Sequence, residues 1–257
     1  MLSRAAYLVF RAVAAGCVSA ITFFAMAAPA GAVGDGIGTP PGIFPFATKF
    51  TMTGIPTPDG HTRDSACSGA LIAPDWVITA GHCFHDVAGA HVSGPPRYRT
   101  IASVGTNRAD NGRTFAVIDV RQSPSGDLAL AKLAAPVRDV IPAELPVGAP
   151  GVGGLLTIAG WGSDNSVNPV PSDFPRVGEF RIASVTGETI GVTGLLPLPT
   201  TSACPYDSGA PYFTPTGPVT GILAAVESNG PDCPHNQVDN ATRIDNLTGW
   251  IRTQISA

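Results

Sequence analysis

The sequence predicts an all-β fold, either a barrel or a sandwich, followed by one helix at the C-terminus. Short apolar or alternating runs recur along the 257 residues, and turn-rich clusters separate them. The 30 glycines and 25 prolines suit such turns, because glycine supplies positive φ and proline supplies a fixed φ. Hydrophobic residues make up 44% of the chain, which is enough to bury a core and argues against a disordered protein.

Ten runs predict strands, and a break in the pattern divides them. In chain order the runs are 46–53, 69–73, 76–79, 98–104, 115–121, 128–133, 155–159, 180–183, 219–226 and 241–244. A Pro/Gly-rich stretch, residues 141–154, separates the strand pattern into two similar halves. Only the final segment has a helical period. Its apolar side chains share one face behind Asp245, a suitable N-cap, and are Leu247, Trp250, Ile251 and Ile255.

The first 32 residues have the layout of a secretory signal peptide. Arg4 and Arg11 precede an apolar run at 12–28, and small residues follow at 30–32. We predict cleavage rather than retention as a membrane anchor, because the run falls short of the roughly 20 apolar residues that cross a bilayer. The mature chain is then expected to be secreted, with no stable membrane anchor.

The charge of the chain narrows its possible partners. The net charge is −4, and removal of residues 1–32 takes away two arginines and no acid, which changes it to −6. No basic patch is visible, so we expect no nucleic-acid partner.

Four cysteines remain after cleavage, an even number that predicts disulfides in an oxidising compartment. Sequence alone does not choose among the three pairings allowed for Cys67, Cys83, Cys204 and Cys233. The alternative is a zinc site that combines the first two with His82 and His85, but the spacings lack a C-x₂₋₄-C pattern. We therefore expect no metal and no other cofactor.

Three local motifs contain the residue types of a nucleophilic hydrolase. Ser208 lies in Asp-Ser-Gly-Ala-Pro, His82 lies in Thr-Ala-Gly-His-Cys after an apolar strand, and Asp127 precedes the apolar run Leu-Ala-Leu. Near neutral pH a serine hydroxyl needs a base to take its proton and a third group to orient that base. Each motif alone is commonplace, whereas the three together predict a Ser-His-Asp triad.

The three motifs, in the chain order His, Asp, Ser, resemble those of the chymotrypsin-like (trypsin-like) serine protease family, and the chain looks like a bacterial secreted member. The resemblance runs from about Val33 to the C-terminus. It implies two six-stranded antiparallel β-barrels with a C-terminal α-helix and an active site between the barrels. The implied domain, residues 33–257, has a first barrel at about 33–145, a second at about 146–244 and a helix at about 245–256.

The resemblance also implies a role for each motif residue. Ser208 attacks the scissile carbonyl, His82 accepts and returns the proton, and Asp127 orients the histidine. The backbone N–H groups of Ser208 and Tyr206 form the oxyanion hole. Here the sequence departs from the family pattern, because Tyr206 and Ala210 stand at positions that are commonly glycine. Loss of one oxyanion donor typically slows turnover by about 10²–10³.

Cleavage of the signal peptide is expected to activate the enzyme. In the family that the chain resembles, the residue before the nucleophile pairs with a new N-terminal ammonium, and here these residues are Asp207 and Val33. Cleavage after Ala32 would create that end directly, and a mature chain beginning at Gly31 is the competing possibility. The resemblance also implies which cysteines pair: Cys67 with Cys83, and Cys204 with Cys233.

The resemblance implies a specificity pocket at Ser202, Ala203, Val226 and Asp239. Serine at position 202, where an acid would select Lys or Arg, argues against a simple trypsin-like preference. Val226 is expected to narrow the mouth and favour small or medium apolar side chains, whereas Asp239 on the far wall could attract a basic one. Ala224 stands where a serine hydroxyl usually supports the triad aspartate.

The function that follows is a secreted serine endopeptidase, expected to be a monomer, that cleaves peptide or protein substrates through an acyl-enzyme. The convergent α/β-hydrolases are disfavoured, because no Gly-x-Ser-x-Gly surrounds Ser208 and no βα alternation is visible. Tyr206, Ala210 and Ala224 motivate the alternative, a catalytically weak or inactive homologue that binds a partner.

Overall fold

The computed structural model describes residues 32–105 and 113–256 of the chain. After a two-residue strand, β1 (Ile37–Gly38), six strands form a first barrel. They are β2 (Ala47–Pro56), β3 (Thr62–Ala73), β4 (Trp76–Thr79), β5 (Arg99–Ser103), β6 (Thr114–Gln122) and β7 (Ala129–Leu133). Every pairing is antiparallel, and the barrel closes in the order β2-β3-β4-β7-β6-β5. Closure leaves no exposed sheet edge in this barrel.

Six further strands form a second barrel. They are β8 (Leu155–Gly160), β9 (Arg176–Val185), β10 (Thr189–Leu196), β11 (Pro211–Pro215), β12 (Gly221–Asn229) and β13 (Asp239–Arg243). Because β9 pairs with both β8 and β10, this ring also closes, in the order β8-β9-β10-β13-β12-β11. The predicted fold class of two six-stranded antiparallel barrels is confirmed.

Two strands of the second barrel and half of a strand in the first were missed by the sequence pattern. Both β10 and β11 contain glycine or proline and few consecutive apolar residues. Their sequences therefore resemble turn-rich segments. The strand β3 begins at Thr62, seven residues before the expected start. The hydrophobic pattern missed this part of the strand because its first three residues are polar and exposed. Hydrophobic runs therefore located the buried parts of strands better than the exposed ones.

The C-terminal helix, α1 (Thr248–Ile255), docks against the first barrel. Ile251 on this helix is fully buried in the core cluster that fills the first barrel. Arg121 on β6 donates hydrogen bonds of 3.0 Å to both the backbone and the side-chain oxygen of Gln254. These contacts hold the C-terminal helix against the first barrel.

Asp245 does not cap the helix as predicted. A short 3₁₀ turn, Asp245–Leu247, precedes α1, and no side-chain hydrogen bond caps either element. The Asp245 carboxylate instead accepts hydrogen bonds of 3.0 and 2.7 Å from the guanidinium of Arg243. An ion pair with the preceding strand has replaced the capping interaction.

Residues 33–38 lie on the second barrel, although we assigned them to the first. Gly34 exchanges backbone hydrogen bonds of 3.0 and 3.2 Å with Ser202, and β1 pairs with β9. Val33 is fully buried within the core cluster of the second barrel. The described part of the chain therefore begins on the second barrel and then crosses over to build the first. The predicted signal peptide lies outside the described residues, except for Ala32.

A shared core fixes the two barrels against each other. The main cluster contains first-barrel residues together with Phe213, Leu223 and Val226 of the second barrel. The rings of Phe46 and Phe213 meet edge to face, with centroids 5.1 Å apart. Such aromatic contacts bury a large apolar area, so side chains contributed by different barrels can be held in a constant arrangement.

Candidate active site

His82 and Asp127 are joined by two hydrogen bonds in the first barrel. His82 lies in a 3₁₀ turn, Gly81–Cys83, directly after β4, and Asp127 lies just before β7. One carboxylate oxygen of Asp127 is 2.7 Å from His82 Nδ1, and the other accepts the His82 backbone N–H at 2.7 Å. Two contacts to one carboxylate fix the imidazole ring, which leaves Nε2 available for proton transfer.

A third donor to Asp127 comes from the second barrel. Ser228 at the end of β12 donates its hydroxyl to Asp127 Oδ2 over 2.7 Å. The sequence interpretation had placed this position at Ala224, which is instead buried in the second-barrel core. The assignment was wrong by four residues, because β12 continues to Asn229, beyond the predicted end of the run. The hydroxyl expected to be missing is therefore present.

These donors control the ionisation of Asp127. Burial alone would raise its pKa, but the hydrogen bonds and charge of His82 and the hydroxyl of Ser228 outweigh burial and lower the pKa to about 2. The carboxylate therefore remains ionised throughout the physiological range, ready to stabilise an imidazolium.

Ser208 lies in a tight turn that leaves two N–H groups unpaired. The N–H groups of Asp207 and Gly209 donate to Cys204 O and Glu227 O, at 2.9 and 2.7 Å. By contrast, the N–H groups of Tyr206 and Ser208 donate to no protein acceptor among the described residues. Two free N–H groups beside a serine hydroxyl form the arrangement that binds an oxyanion.

Tyr206 adopts the backbone conformation that glycine normally provides. Its φ is +76°, in the left-handed region where a side chain costs about 1 kcal/mol or more. Ser68 helps to hold this conformation, because its hydroxyl donates to Tyr206 O at 3.1 Å and accepts the Trp161 N–H at 2.9 Å. The Ser68 N–H also donates to Ser208 O at 2.8 Å. Sequence reasoning had not identified Ser68.

The candidate base, His82, and the candidate nucleophile, Ser208, face a common cleft of about 420 Å³. Its lining includes His82, Ser208 and Tyr206, together with the disulfide Cys67–Cys83. Within the described residues no direct hydrogen bond joins Ser208 Oγ to His82. Such bonds are often long in empty sites and shorten when substrate binds. The structure therefore brings the predicted nucleophile and base to one surface.

Both disulfides that the resemblance implied are formed. Cys67 is bonded to Cys83 behind the histidine, and Cys204 is bonded to Cys233 beside the nucleophile. The alternative zinc site is wrong, because both of its cysteines are consumed in one disulfide. Among residues 32–105 and 113–256, no group of three or more His, Cys, Asp or Glu side chains is arranged to hold a metal ion.

Asp207, directly before the nucleophile, is fully buried against the N-terminal segment. Its carboxylate accepts the backbone N–H groups of Val33 at 3.2 Å, Cys204 at 3.0 Å and Gly162 at 2.8 Å. A Cβ atom added to Gly162 would lie 2.5 Å from this carboxylate, so the approach requires glycine. Burial raises the pKa of Asp207 to about 7 despite these three hydrogen bonds.

Comparison with known proteins identifies the family. The family model described as Trypsin matches residues 35–251, most of the chain. The chain belongs to the trypsin family. It is therefore a serine-type endopeptidase.

Two relatives of this trypsin-family chain are snake proteins. It is 26% identical over 210 residues to a protein C activator of Agkistrodon piscivorus leucostoma, covering 76% of this chain and 80% of that protein. It is 28% identical over 217 residues to the thrombin-like enzyme flavoxobin of Protobothrops flavoviridis, covering 74% and 77%. These relatives do not support the expected bacterial type.

Two solved structures share the fold of this chain. One is described as HL collagenase, with a TM-score of 0.67 and 20% identity, covering 87% of this chain and 99% of that one. Another is neuropsin, a serine protease of mouse brain, with a TM-score of 0.67 and 21% identity, covering 86% and 99%. At these identities the likeness supports the fold alone.

Of the four predicted pocket residues of this trypsin-family chain, three lie together and Val226 lies apart from them. Ala203 lines a cavity of about 220 Å³ beside Ser208. Ser202 and Asp239 are fully buried behind it, where Asp239 Oδ2 accepts the Ala203 N–H at 3.3 Å. Val226 is fully buried in the main core, so the expectation that it narrows the pocket mouth is wrong. The same four-residue error in the assignment of β12 explains why Val226 was expected at the pocket mouth.

Within residues 32–105 and 113–256, no helix is both long enough and apolar enough to cross a bilayer.

Proposed function

We propose that this protein is a secreted endopeptidase that hydrolyses peptide bonds through an acyl-enzyme on Ser208. His82 takes the hydroxyl proton as Ser208 attacks the scissile carbonyl, and it returns the proton to the leaving amine. Asp127 holds the imidazole and stabilises its charged form. Water then attacks the acyl-enzyme with His82 again as the base.

The observation that carries this proposal is the contact of Asp127 with His82 beside the cleft that Ser208 shares. Both carboxylate oxygens of Asp127 bind His82, and Ser228 supports the same carboxylate. A carboxylate that only stabilised the fold would have no need of an exposed partner, yet the His82 side chain is 41% exposed. An oriented and accessible imidazole supports a role as general base.

We assign the oxyanion hole to the N–H groups of Tyr206 and Ser208. Both lack an acceptor in the part of the chain that the structure describes, and the left-handed φ of Tyr206 gives its peptide the conformation that glycine would adopt. The side chain at position 206 thus need not misalign the donor, which answers the concern raised by the departure from the family pattern.

Activation is proposed to follow from removal of residues 1–32. The Val33 nitrogen is 3.2 Å from the buried Asp207 carboxylate, so an ammonium at that position would neutralise the charge. The ordered turn on either side of Asp207 contains both oxyanion donors. Cleavage after Ala32 would therefore secrete the chain and complete the site in one step, and we propose that the mature domain, residues 33–257, acts on peptide or protein substrates as a monomer.

A catalytically weak homologue that binds a partner is the second candidate, and the strained Tyr206 is the observation that favours it. Burst kinetics with a p-nitrophenyl ester distinguish the two. An acyl-enzyme mechanism predicts rapid release of about one equivalent of nitrophenol per protein, followed by slower turnover. The His82→Ala variant should abolish the burst, and a folded parent protein without a burst would favour the binding homologue.

A further inference from the structure

The turn that contains His82 depends on support from outside itself. It is a 3₁₀ turn of three residues, Gly81–Cys83, and no side chain caps its start. The Phe84 N–H donates to Gly81 O at 3.1 Å, and the other hydrogen bond of the turn is longer, 3.3 Å. Because 3₁₀ hydrogen bonds have poor geometry, so short a turn is held mainly by its surroundings.

The side chain of Gln122, at the end of β6, supplies that support. Its amide nitrogen donates to Gly81 O at 3.0 Å and to Phe84 O at 3.1 Å. The same nitrogen donates to Val92 O at 3.3 Å, in the loop that follows the turn. One side-chain amide therefore binds the carbonyl groups before and after His82 and holds them on a strand of the first barrel.

Gln122 is itself fixed relative to Asp127 by strand pairing. It pairs with Ala129 at the start of β7, and Asp127 lies just before that strand. Its backbone N–H also donates to Ser93 Oγ at 3.0 Å. The backbone of Gln122 thus belongs to the same pair of strands that positions the Asp127 carboxylate, so its side chain sets the His82 turn at a defined distance from that carboxylate.

Glycine at position 81 makes room for this arrangement. A Cβ atom added to Gly81 would lie 2.7 Å from Gln122 Oε1, 3.0 Å from Asp127 Oδ1 and 3.1 Å from His91 Nδ1. Such short separations would force the amide of Gln122 away from the turn. The absence of a side chain at this position therefore allows Gln122 to bind the turn and to lie beside the Asp127 carboxylate.

We infer that Gln122 is a positioning residue, which holds the His82 imidazole against Asp127. The inference rests on the proposed function, because it takes His82 as the general base. Gln122 lies outside the lining of the cleft that contains Ser208, so it acts through the backbone of the His82 turn. If the turn shifts, the 2.7 Å contact between His82 Nδ1 and Asp127 Oδ2 is made for less of the time, and the rate falls accordingly.

A purely structural role for Gln122 is the competing explanation. On that explanation its hydrogen bonds anchor the loop at 84–94 and stabilise the fold, while Asp127 alone holds the His82 ring. Loss of the amide would then lower the temperature of unfolding. It would leave both the His82–Asp127 contact and the rate of reaction, measured well below that temperature, unchanged.

Nuclear magnetic resonance of the His82–Asp127 contact distinguishes these explanations without requiring turnover. In protein with isotope-labelled histidine, the proton between His82 Nδ1 and Asp127 resonates far downfield, since it belongs to a short hydrogen bond to a carboxylate. Loss of the signal in His82→Ala assigns it. Gln122→Met keeps the length of the side chain but removes its N–H donors. We expect this variant to shift the resonance upfield or to lose it through exchange with water.

The kinetic counterpart is a loss in kcat rather than a rise in KM. Removing the two hydrogen bonds to Gly81 and Phe84 should lower kcat for a peptide substrate by about tenfold. KM should stay within about twofold, because Gln122 does not line the cleft. The competing explanation predicts that neither kinetic constant changes.

The matched control is Gln237→Met, the same chemical change at an exposed position whose side chain makes no hydrogen bond within the described residues. It should leave the resonance and kcat as they are in the parent. A parent-like resonance or a parent-like kcat in Gln122→Met would overturn the inference, whatever the unfolding temperatures. Should Gln122→Met fail to fold, Gln122→Asn repeats the test, because its amide is one methylene too short to reach both carbonyl groups, and the same outcomes decide.

The inference and the proposed function can fail separately. A normal ester burst in the parent protein, with an unchanged resonance in Gln122→Met, would refute the inference and leave the proposed function intact. A parent protein without a burst, whose downfield resonance Gln122→Met abolishes, would refute the acyl-enzyme mechanism and support the placement of His82 by Gln122.

Discussion

Ser228 donates its hydroxyl to Asp127 Oδ2 over 2.7 Å and so links the two barrels at the candidate active site. Asp127 belongs to the first barrel, together with His82, whereas Ser228 belongs to the barrel that contains Ser208. Through Asp127, this hydrogen bond fixes the position of His82 relative to the barrel that contains Ser208. A small shift between barrels would disturb this contact, and the proposed triad depends on their alignment.

The Ser228→Ala variant should lower kcat/KM for a peptide substrate. Removing one of the hydrogen bonds to Asp127 is expected to reduce activity by about tenfold, equivalent to ~1.4 kcal/mol of transition-state stabilisation. Ala224→Ser is the informative comparison, because it adds a hydroxyl where the sequence interpretation expected one. It should give no gain, and a faster Ala224→Ser enzyme would contradict the structural assignment.

The Ser228 assignment shows where sequence reasoning stops. His82, Asp127 and Ser208 could be identified because each lies in a short motif whose neighbours are also distinctive. Ser228 belongs to a long strand, and its register depends on pairing with β11 and β13 rather than on adjacent residues. The sequence Glu-Ser-Asn-Gly at 227–230 contained a usable indication, a serine two residues before a glycine.

Ser68 is predicted to position the oxyanion turn. Because its hydroxyl binds Tyr206 O, Ser68→Ala should lower kcat by about fivefold, the effect of losing ~1 kcal/mol, while KM changes little. Ser65→Ala is a suitable control, since Ser65 lines the same cleft without a side-chain hydrogen bond in the described structure. Steady-state kinetics on one peptide compare them, and equal kcat values for the two variants would argue against the positioning role.

Gly162 is predicted to be indispensable for the Asp207 site. In Gly162→Ala the new methyl group would meet the Asp207 carboxylate at 2.5 Å, so the turn before Ser208 must shift. We expect the ester burst to be lost or reduced at least about 100-fold, comparable to loss of an oxyanion donor. Gly148→Ala, where an added Cβ contacts nothing within 4 Å, should burst normally. A full burst from Gly162→Ala would show that Asp207 does not order the turn.

Stability should depend on pH differently in chains that begin at Gly31 and at Val33. With Val33 as an amide, Asp207 has a pKa of about 7 against 3.8 for a free carboxyl, so the folded state binds the proton more tightly. This contribution to stability is full below pH 4 and is lost as the pH rises through 7. The Gly31 chain should therefore lose up to about 4 kcal/mol from this group between pH 4 and 8.

An ammonium at Val33 should suppress that loss, because it pairs with the ionised carboxylate. Urea unfolding at several pH values measures the difference between the two chains, and contributions from Asp239, present in both, cancel. Parallel stability curves would mean that the Val33 end does not pair with Asp207.

The fold was easier to predict than the specificity pocket, for a physical reason. Strands such as β4, with four buried residues in succession, can be predicted from local hydrophobicity. The cavity beside Ser208 is assembled from separate segments, and Val226 and Glu227 are adjacent in sequence yet face the core and the cavity respectively. A strand reverses its facing side at every residue, so a small alignment error exchanges a wall residue for a core residue.

The most direct test of the account is intact mass spectrometry of the secreted, oxidised protein before and after a fluorophosphonate probe. We expect a chain that begins at Val33, contains two disulfides and gains one adduct, which Ser208→Ala abolishes. A folded, oxidised protein that begins at Val33 and gains no adduct would contradict an activated Ser208, and with it the proposed acyl-enzyme mechanism.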